Sequence, residues 1–296
     1  MRKVLTILGF FGIFSLFSCG KDDVTEPSLV FRFTLDSTQV RLNNIGQPAG
    51  LPANHRAQHP RFNQITLHYI ELSPTAFTPL GTGEVIYQSP STLAGGAEAI
   101  DFAQLPFTSS GVDFMRIPLK NIAPGSYTWI RVSLAYQNYD INLRVFIPQL
   151  NTNWDGTATV ASFIGYDQYI TNATIKTQSL AVNGNRRQGF WAFEITYPGL
   201  SPIVQSGLAP AGATTVPNPL FASSPIPQGS CVVTGAFNQT LVIPAQPTQD
   251  IVIDLRVSVN QSFEWKEAGN NQYYEPLAGD TVVDMGVRGL IPVVIP

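Results

Sequence analysis

The three histidines of the chain are its clearest candidates for metal chemistry, because imidazole is the commonest transition-metal ligand in proteins. His55 and His59 lie in a polar stretch, and His68 and Glu71 lie in the apolar segment that follows. If the polar stretch folds back over that segment, the imidazoles could converge on copper or zinc. The alternative is that all three are ordinary polar residues, since Pro60 follows His59 and the spacing is not that of a metalloprotease helix.

Aromatic residues late in the chain could serve a second kind of chemistry, stacking on sugars or gripping a partner protein. In a β domain, such residues also form the core or its rim, and the sequence alone leaves both interpretations open. The residues concerned are Trp191, Phe263, Trp265, Tyr273 and Tyr274.

Acidic and nucleophilic residues form no recognisable catalytic set. Asp280 and Asp284 could act as a carboxylate pair, but the two valines between them favour the polar face of a strand. Cys231 lies in an apolar run far in sequence from any histidine, so we expect a small buried side chain there rather than a nucleophile. We therefore predict no catalytic residues, and the sequence favours a protein that is not an enzyme.

The N-terminus indicates where the protein goes. Two basic residues precede the apolar run 4–17, which is the pattern of a secretory signal peptide and too short to span a membrane comfortably. Ser18 and Cys19 end this run and resemble the lipobox of bacterial lipoproteins, where cleavage before the cysteine leaves a thiol that carries a diacylglycerol. The resemblance implies lipidation of Cys19 with acyl chains such as palmitate, which hold a protein stably on a membrane. The alternative is an ordinary signal peptide.

The residues after Cys19 refine the expected location. Gly20 to Asp23 resemble the lysine-acidic-acidic signal that sends some lipoproteins to the cell surface. We expect an outer-membrane lipoprotein that is lipid-anchored and surface exposed, with a periplasm-facing placement as the alternative. Residues 1–18 are then the signal peptide, and residues 19–28 are the lipidated cysteine and a short tether.

Composition limits the class of the mature chain. Charged residues make up only 12%, while glycine and proline number 24 and 23, which argues against long helices and against disorder. The net charge of −3 gives no basic surface for nucleic acid. If Cys19 is lipidated, Cys231 has no partner, so we predict no disulfide.

Alternating apolar residues predict β-strands throughout the mature chain. We predict one all-β domain over residues 29–296, a sandwich or barrel-like arrangement of antiparallel sheets with long Pro/Gly-rich loops. The clearest predicted strands are 29–35, 65–72, 127–136, 139–147 and 251–259.

Turn-forming residues predict the connections between these strands. Residues 43–62 and 198–229 are interrupted by proline and glycine and predict two long loops. Asn183-Gly184-Asn185 predicts a hairpin that joins the strands 174–182 and 190–197.

Three segments resemble the MbnP-like lipoproteins, which are β-rich periplasmic or surface proteins. They are the strands 29–35 and 65–72, and the turn and strand from Pro124 to Leu134, followed by Trp154. In that family a modified tryptophan and histidines bind copper in some members, so the resemblance implies an association with metal. Of the histidines in this chain, only His68 can be matched.

Together these features predict a cell-surface or periplasm-facing lipoprotein that acts as a binding or structural module, MbnP-like and metal-associated. The expected partners are the membrane, through the lipid anchor, and a glycan or protein ligand. The alternative is a glycan-acting or metal-dependent hydrolase of the cell envelope.

Overall fold

The chain folds almost entirely into β-structure. A computed structural model describes residues 26–197, 199–209, 222 and 231–295, so the predicted signal peptide and Cys19 lie outside the described residues. These residues form eighteen strands and three short 3-10 turns, with no α-helix among them. In the part of the chain that the structure describes, no helix has the length and apolar character needed to cross a membrane. The predicted all-β fold class is confirmed.

The strands are numbered in chain order. They are β1 (Ser28–Asp36), β2 (His55–Gln58), β3 (Arg61–Ser73), β4 (Glu84–Gln88), β5 (Ser91–Thr92), β6 (Ala99–Asp101), β7 (Asp113–Pro118), β8 (Gly125–Ile147), β9 (Thr152–Phe163), β10 (Asp167–Thr174), β11 (Ser179–Arg187), β12 (Phe190–Ile195), β13 (Ile203–Leu208), β14 (Val232–Ile243), β15 (Ile251–Ser258), β16 (Phe263–Lys266), β17 (Thr281–Met285) and β18 (Leu290–Ile295).

The described strands form four sheets. The largest has seven strands in the order β13-β12-β9-β8-β3-β4, with β14 also paired to β8. Two sheets of four strands have the orders β18-β15-β1-β7 and β11-β10-β6-β5, and a small sheet has the order β17-β16-β2. Most pairs are antiparallel, but β1 runs parallel to β15, which places the first strand beside one near the end of the chain.

Strand β8 is the centre of the large sheet and is longer than predicted. The sequence predicts two strands, 127–136 and 139–147, because the polar residues Gln137 and Asn138 separate the apolar runs. In the structure both amides are buried and bonded: Gln137 Nε2 donates to the Met285 carbonyl at 2.7 Å, and Asn138 Nδ2 donates to the Ile175 carbonyl at 2.8 Å. The strand therefore continues without a break, because the amide N–H groups of both side chains find carbonyl partners distant in sequence.

The large sheet is covered on both faces around β8, which explains why this strand is buried for most of its length. On one face, Tyr136 and Phe163 pack with Phe102 and Ile170. On the other face, a second cluster contains Tyr139 and Ile141 of β8, Ala158 and Val160 of β9, and Phe263 and Trp265 of β16. A third and larger core includes residues of β1 and β15 together with residues of β3, β8 and β14.

The predicted hairpin at Asn183-Gly184-Asn185 is wrong, because these residues lie inside β11. Asn183 has a φ of 46°, and the pairing of β10 with β11 shifts register nearby, so the turn-forming residues make an irregularity within a strand. The turn between β10 and β11 instead lies around residues 175–178. The Glu194 carboxylate stabilises it by accepting backbone N–H bonds from Lys176, Thr177 and Gln178 at 2.9–3.0 Å.

Two predicted loops also contain strands. The stretch 43–62 includes β2 and the first residues of β3, and the stretch 198–229 includes β13, although most of its later residues lie outside the described part. Neither short strand alternates clearly in sequence. Strand β2 forms only because it pairs with β16, which lies about two hundred residues further along the chain.

Candidate ligand-binding site

An apolar cavity of about 370 Å³ lies between the large sheet and the small sheet. The term apolar cavity refers below to this space. Its first wall comes from β8, β9, β12 and β13, and its second wall comes from β16, β17 and the segment that contains Tyr274 and Pro276. The volume lies within the range of roughly 300–1,000 Å³ that is typical of small-molecule sites in proteins.

The register of the large sheet determines which side chains form the first wall. Ile141 of β8 is paired with Ala158 of β9, and Val160 of β9 is paired with Phe193 of β12. Directly paired residues project from the same face of a sheet, so these four side chains lie in adjacent rows that face the cavity. The wall is therefore apolar because alternate residues along β8, β9 and β12 are apolar.

Trp191 extends this wall at the next row and is accommodated by a glycine. It forms a stacked pair with Phe193, with ring centroids 5.9 Å apart and an interplanar angle of 19°. A Cβ atom added to Gly207 on the neighbouring strand would approach the Trp191 ring to 2.9 Å. The absence of a side chain at Gly207 thus leaves space for the indole beside the cavity.

The second wall is built on buried aromatic residues of the small sheet. Phe263 and Trp265 are each only 2% exposed. The Tyr274 ring packs edge-on against Phe263, with centroids 5.0 Å apart, and burial together with the charge of Asp280 raises the pKa of its hydroxyl to about 12. Of the aromatic residues singled out from the sequence, Trp265 therefore belongs to the core, and Phe263, which is also buried, lines the cavity together with Trp191 and Tyr274. Tyr273 is 46% exposed.

Beside the second wall lies a largely buried set of ionisable groups that we call the ionic cluster, formed by Arg41, His55, Glu264, Asp284 and Arg288. Arg41 Nη2 lies 3.0 Å from Glu264 Oε2, and Arg288 Nη2 lies 3.0 Å from Asp284 Oδ2 and 3.6 Å from Glu264 Oε2. His55 Nδ1 is hydrogen-bonded to the other oxygen of Glu264. The cluster joins the small sheet to two segments outside it, around residues 41 and 288.

The positions of Asp280 and Asp284 differ from the sequence prediction, which placed both on the polar face of a strand. Both are buried. Asp280 accepts N–H bonds from Ala268 and Glu275, each at 2.8 Å, and so shapes the segment between β16 and β17. For Asp284, burial raises the pKa to about 7. The negative charge of Glu264 also raises it, whereas the positive charge of Arg288 lowers it. They bind separate partners and do not form a carboxylate pair.

The three histidines have three different partners. His55 bonds to Glu264, His59 Nδ1 accepts the N–H of Gln261 at 3.1 Å, and His68 Nε2 lies 2.7 Å from Ser133 Oγ. Burial lowers the pKa of His68 to about 4, which keeps this imidazole neutral at pH 7. Within the described ranges, no group of three or more His, Cys, Asp or Glu side chains is arranged to hold a metal ion. The convergence that a three-histidine copper or zinc site requires is thus not met.

Glu71, the carboxylate expected beside the histidines, is fully buried and structural. Its oxygens accept N–H bonds from Gly81 at 3.2 Å and Gly83 at 2.6 Å, and Oε2 lies 3.4 Å from Nη1 of the buried Arg131. The prediction for Cys231 is confirmed, because the thiol is buried, lies 3.0 Å from Ser133 Oγ, and has its pKa raised by burial to about 11. Neither residue faces the apolar cavity.

The sequence alone indicates some residues of this site but not that they line one cavity. From the sequence, Trp191, Phe263 and Tyr274 are recognisable only as aromatic residues. The alternation of apolar residues in β8 does not indicate that Ile141 and Leu143 face a cavity. Comparisons of the chain with models of protein families, with curated proteins and with solved structures gave no match.

Proposed function

We propose that this chain is a lipid-anchored protein of the bacterial outer membrane, facing the cell surface, whose β domain binds a small apolar molecule in the apolar cavity. The observation that carries the binding proposal is the cavity itself. Its size suits a small molecule, and its walls are mainly aliphatic and aromatic side chains such as Ile141, Val160, Trp191 and Phe263. Burying apolar ligand surface against such walls is favourable by about 25 cal/mol per Å² before the costs of association.

Binding is favoured over hydrolysis by the distribution of carboxylates. A glycosidase of the usual kind places two carboxyl groups across one cleft, roughly 5–10 Å apart. Among the described residues that line the apolar cavity, Asp284 is the only aspartate or glutamate, and it is engaged by Arg288. The proposal includes no metal, because the histidines have separate partners.

The binding proposal predicts that a side chain filling the cavity weakens ligand binding. Ala158 lies on the cavity wall and is buried, so Ala158→Leu should extend a side chain into the space that the ligand occupies. We expect at least a tenfold loss of affinity for N-phenyl-1-naphthylamine, a neutral apolar fluorophore, measured by fluorescence titration. The measurement uses the full chain carrying Cys19→Ala, because a protein without the lipid anchor can be handled without detergent.

Ala94→Leu is the matched control, because Ala94 is exposed and does not line the cavity. We expect this variant to bind the fluorophore as the parent does. Equal binding by the parent and the Ala158→Leu variant, with both proteins folded by circular dichroism, would place the fluorophore elsewhere and contradict the proposal.

The location is tested through Cys19. Cys19→Ala removes the thiol that would carry the lipid, and a protein without acyl chains lacks the apolar anchor that holds it on a bilayer. We expect the variant to move from the membrane fraction to the soluble fraction, with Cys231→Ala as a control that stays in the membrane fraction. A Cys19→Ala variant that still sediments with membranes would refute the anchor. Protease treatment of intact cells distinguishes the surface from the periplasm, since only a surface protein is digested.

A further inference from the structure

A second recess, which we call the polar groove, adjoins the apolar cavity. It has a volume of about 520 Å³ and is lined by Asn142, Asp155, Thr157, Gln272 and Tyr273, among others. Leu143 and Tyr274 line both the groove and the cavity. The two spaces are therefore next to each other at these two side chains.

The polar groove presents hydrogen-bonding groups without an uncompensated charge. Arg144 donates two hydrogen bonds to Asp155, at 2.6 and 2.7 Å, and this pairing lowers the pKa of the Asp155 carboxyl. The guanidinium carbon of Arg144 also lies 3.4 Å from the centroid of the Tyr273 ring. The groove thus combines a neutralised carboxylate, amide and hydroxyl groups, and an exposed aromatic ring, which is the set of groups that binds a neutral, hydroxyl-rich molecule.

The segment between the groove and the cavity is held in place by the sheet on which it rests. The Tyr274 carbonyl accepts the backbone N–H of Arg144 at 2.9 Å, and its ring packs on Phe263 and Trp265. Gln272 has a φ of 69°, so the chain turns sharply just before the two tyrosines. Tyr273 consequently faces the groove while Tyr274 lines both spaces.

We infer that the ligand is an amphipathic small molecule, with an aliphatic part in the apolar cavity and a neutral, hydroxyl-bearing head group such as a saccharide in the polar groove. The inference rests on the proposed function, because it requires the apolar cavity to be the binding site. It adds the chemical class of the ligand. An apolar part alone would leave the groove unused, and a sugar alone would leave the cavity empty.

The inference is tested with three probes, one that has both an octyl chain and a glucoside head group and two that have only one of these parts. They are n-octyl β-D-glucoside below its micellar concentration, 1-octanol and methyl β-D-glucoside, titrated calorimetrically into the full chain carrying Cys19→Ala. We expect the octyl glucoside to bind at least tenfold more tightly than octanol, and the methyl glucoside to give no measurable binding. Tyr273→Ala should weaken the octyl glucoside about tenfold and leave the affinity for octanol unchanged.

Tyr166→Ala is the matched control, because Tyr166 is 60% exposed and lines neither space. It should leave both affinities unchanged. Equal affinities for octyl glucoside and octanol, unaffected by Tyr273→Ala, would overturn the amphipathic ligand and leave the apolar cavity standing as the site. Equal affinities for methyl glucoside and octyl glucoside would overturn it as well, because the aliphatic part would then contribute nothing to binding. Failure of both octanol and the fluorophore to bind would instead refute the proposed function.

Discussion

Replacing Glu264 with glutamine is expected to lower the free energy of unfolding by about 3–5 kcal/mol, the cost of breaking a buried ion pair from one side. Glu264 is the acceptor at the centre of the ionic cluster, in contact with Arg41, Arg288 and His55. Glutamine keeps the size of the side chain but removes its charge. Of the two guanidinium groups, each 10% exposed or less, Arg288 would keep the carboxylate of Asp284, while Arg41 would lose its paired carboxylate and keep only backbone carbonyl partners.

The position of Glu264 in the small sheet makes the effect specific. Glu264 is paired directly with Asp284 on the neighbouring strand, and like charges opposite each other destabilise a sheet. Arg288 offsets this repulsion because its Nη2 lies within 3.6 Å of both carboxylates. The stability of the small sheet therefore depends on Arg288 and both carboxylates together, and not on one ion pair.

The measurement is urea unfolding followed by tryptophan fluorescence, with Asp113→Asn as the control. Asp113 pairs with Arg32 on the surface, where both side chains are at least one-third exposed, so its loss should cost no more than about 1 kcal/mol. Similar losses for Glu264→Gln and Asp113→Asn would show that the ionic cluster does not support the small sheet.

Asp284→Asn is expected to change the pH dependence of stability more than any other carboxylate substitution considered for this protein. Burial raises the folded-state pKa of Asp284 from its ordinary value of 3.8 to about 7. Between these two values the folded chain holds a proton that the unfolded chain has lost. The free energy of unfolding must therefore fall as pH rises through this window, by at most about 1.4 kcal/mol per pH unit for this one group.

Asparagine does not titrate, so it removes this contribution. At pH 4 the wild-type carboxyl is mostly protonated when folded, and the two proteins differ least in charge. At pH 8 the wild type carries the cost of a buried carboxylate that the variant lacks. The unfolding free energy of the variant minus that of the wild type should therefore increase by a few kcal/mol between pH 4 and pH 8. Most of this increase should have occurred by about pH 7.

Unfolding curves at four or five pH values, run in parallel, test this prediction, since titrating groups that do not interact with Asp284 cancel in the difference. Asp36→Asn is a control of opposite sign, because hydrogen bonds from Thr38 lower the pKa of Asp36. For that variant the wild type gains relative stability as pH rises through the carboxyl range. A difference for Asp284→Asn that is constant with pH would show that its carboxyl titrates normally.

The sequence by itself determined the fold class and the main strands. Alternation of apolar residues in β1, β3 and β15 predicted strands because each buries one or both faces against a sheet, and this pattern depends only on local order in the chain. The burial of Cys231 was predicted for the same reason. The signal peptide, lipidation site and export signal expected in residues 1–23 also depend on sequence alone, and they stay predictions.

Where local signals competed with distant partners, the sequence was misleading. Asn183-Gly184-Asn185 has the residues of a hairpin turn, yet the turn formed at residues 175–178, because Glu194 on another strand binds three of its N–H groups. The break predicted at Gln137 and Asn138 did not occur, since carbonyl groups of Met285 and Ile175 bond their amides. These partners lie 16 to 148 residues away, beyond the few neighbouring residues on which a turn or strand signal depends.

Only the tertiary structure decided the candidate site. The apolar cavity takes its walls from strands between residues 125 and 285, and the ionic cluster joins Arg41 to residues beyond 260. Asp284 was expected on the polar face of a strand because it stands in an alternating strand, but it is buried beside Arg288 and paired across the sheet with Glu264. Local pattern gives the side of a strand on which a residue lies, whereas what covers that side depends on how the sheets pack, and this determines whether a residue contacts water, a counter-charge or a ligand.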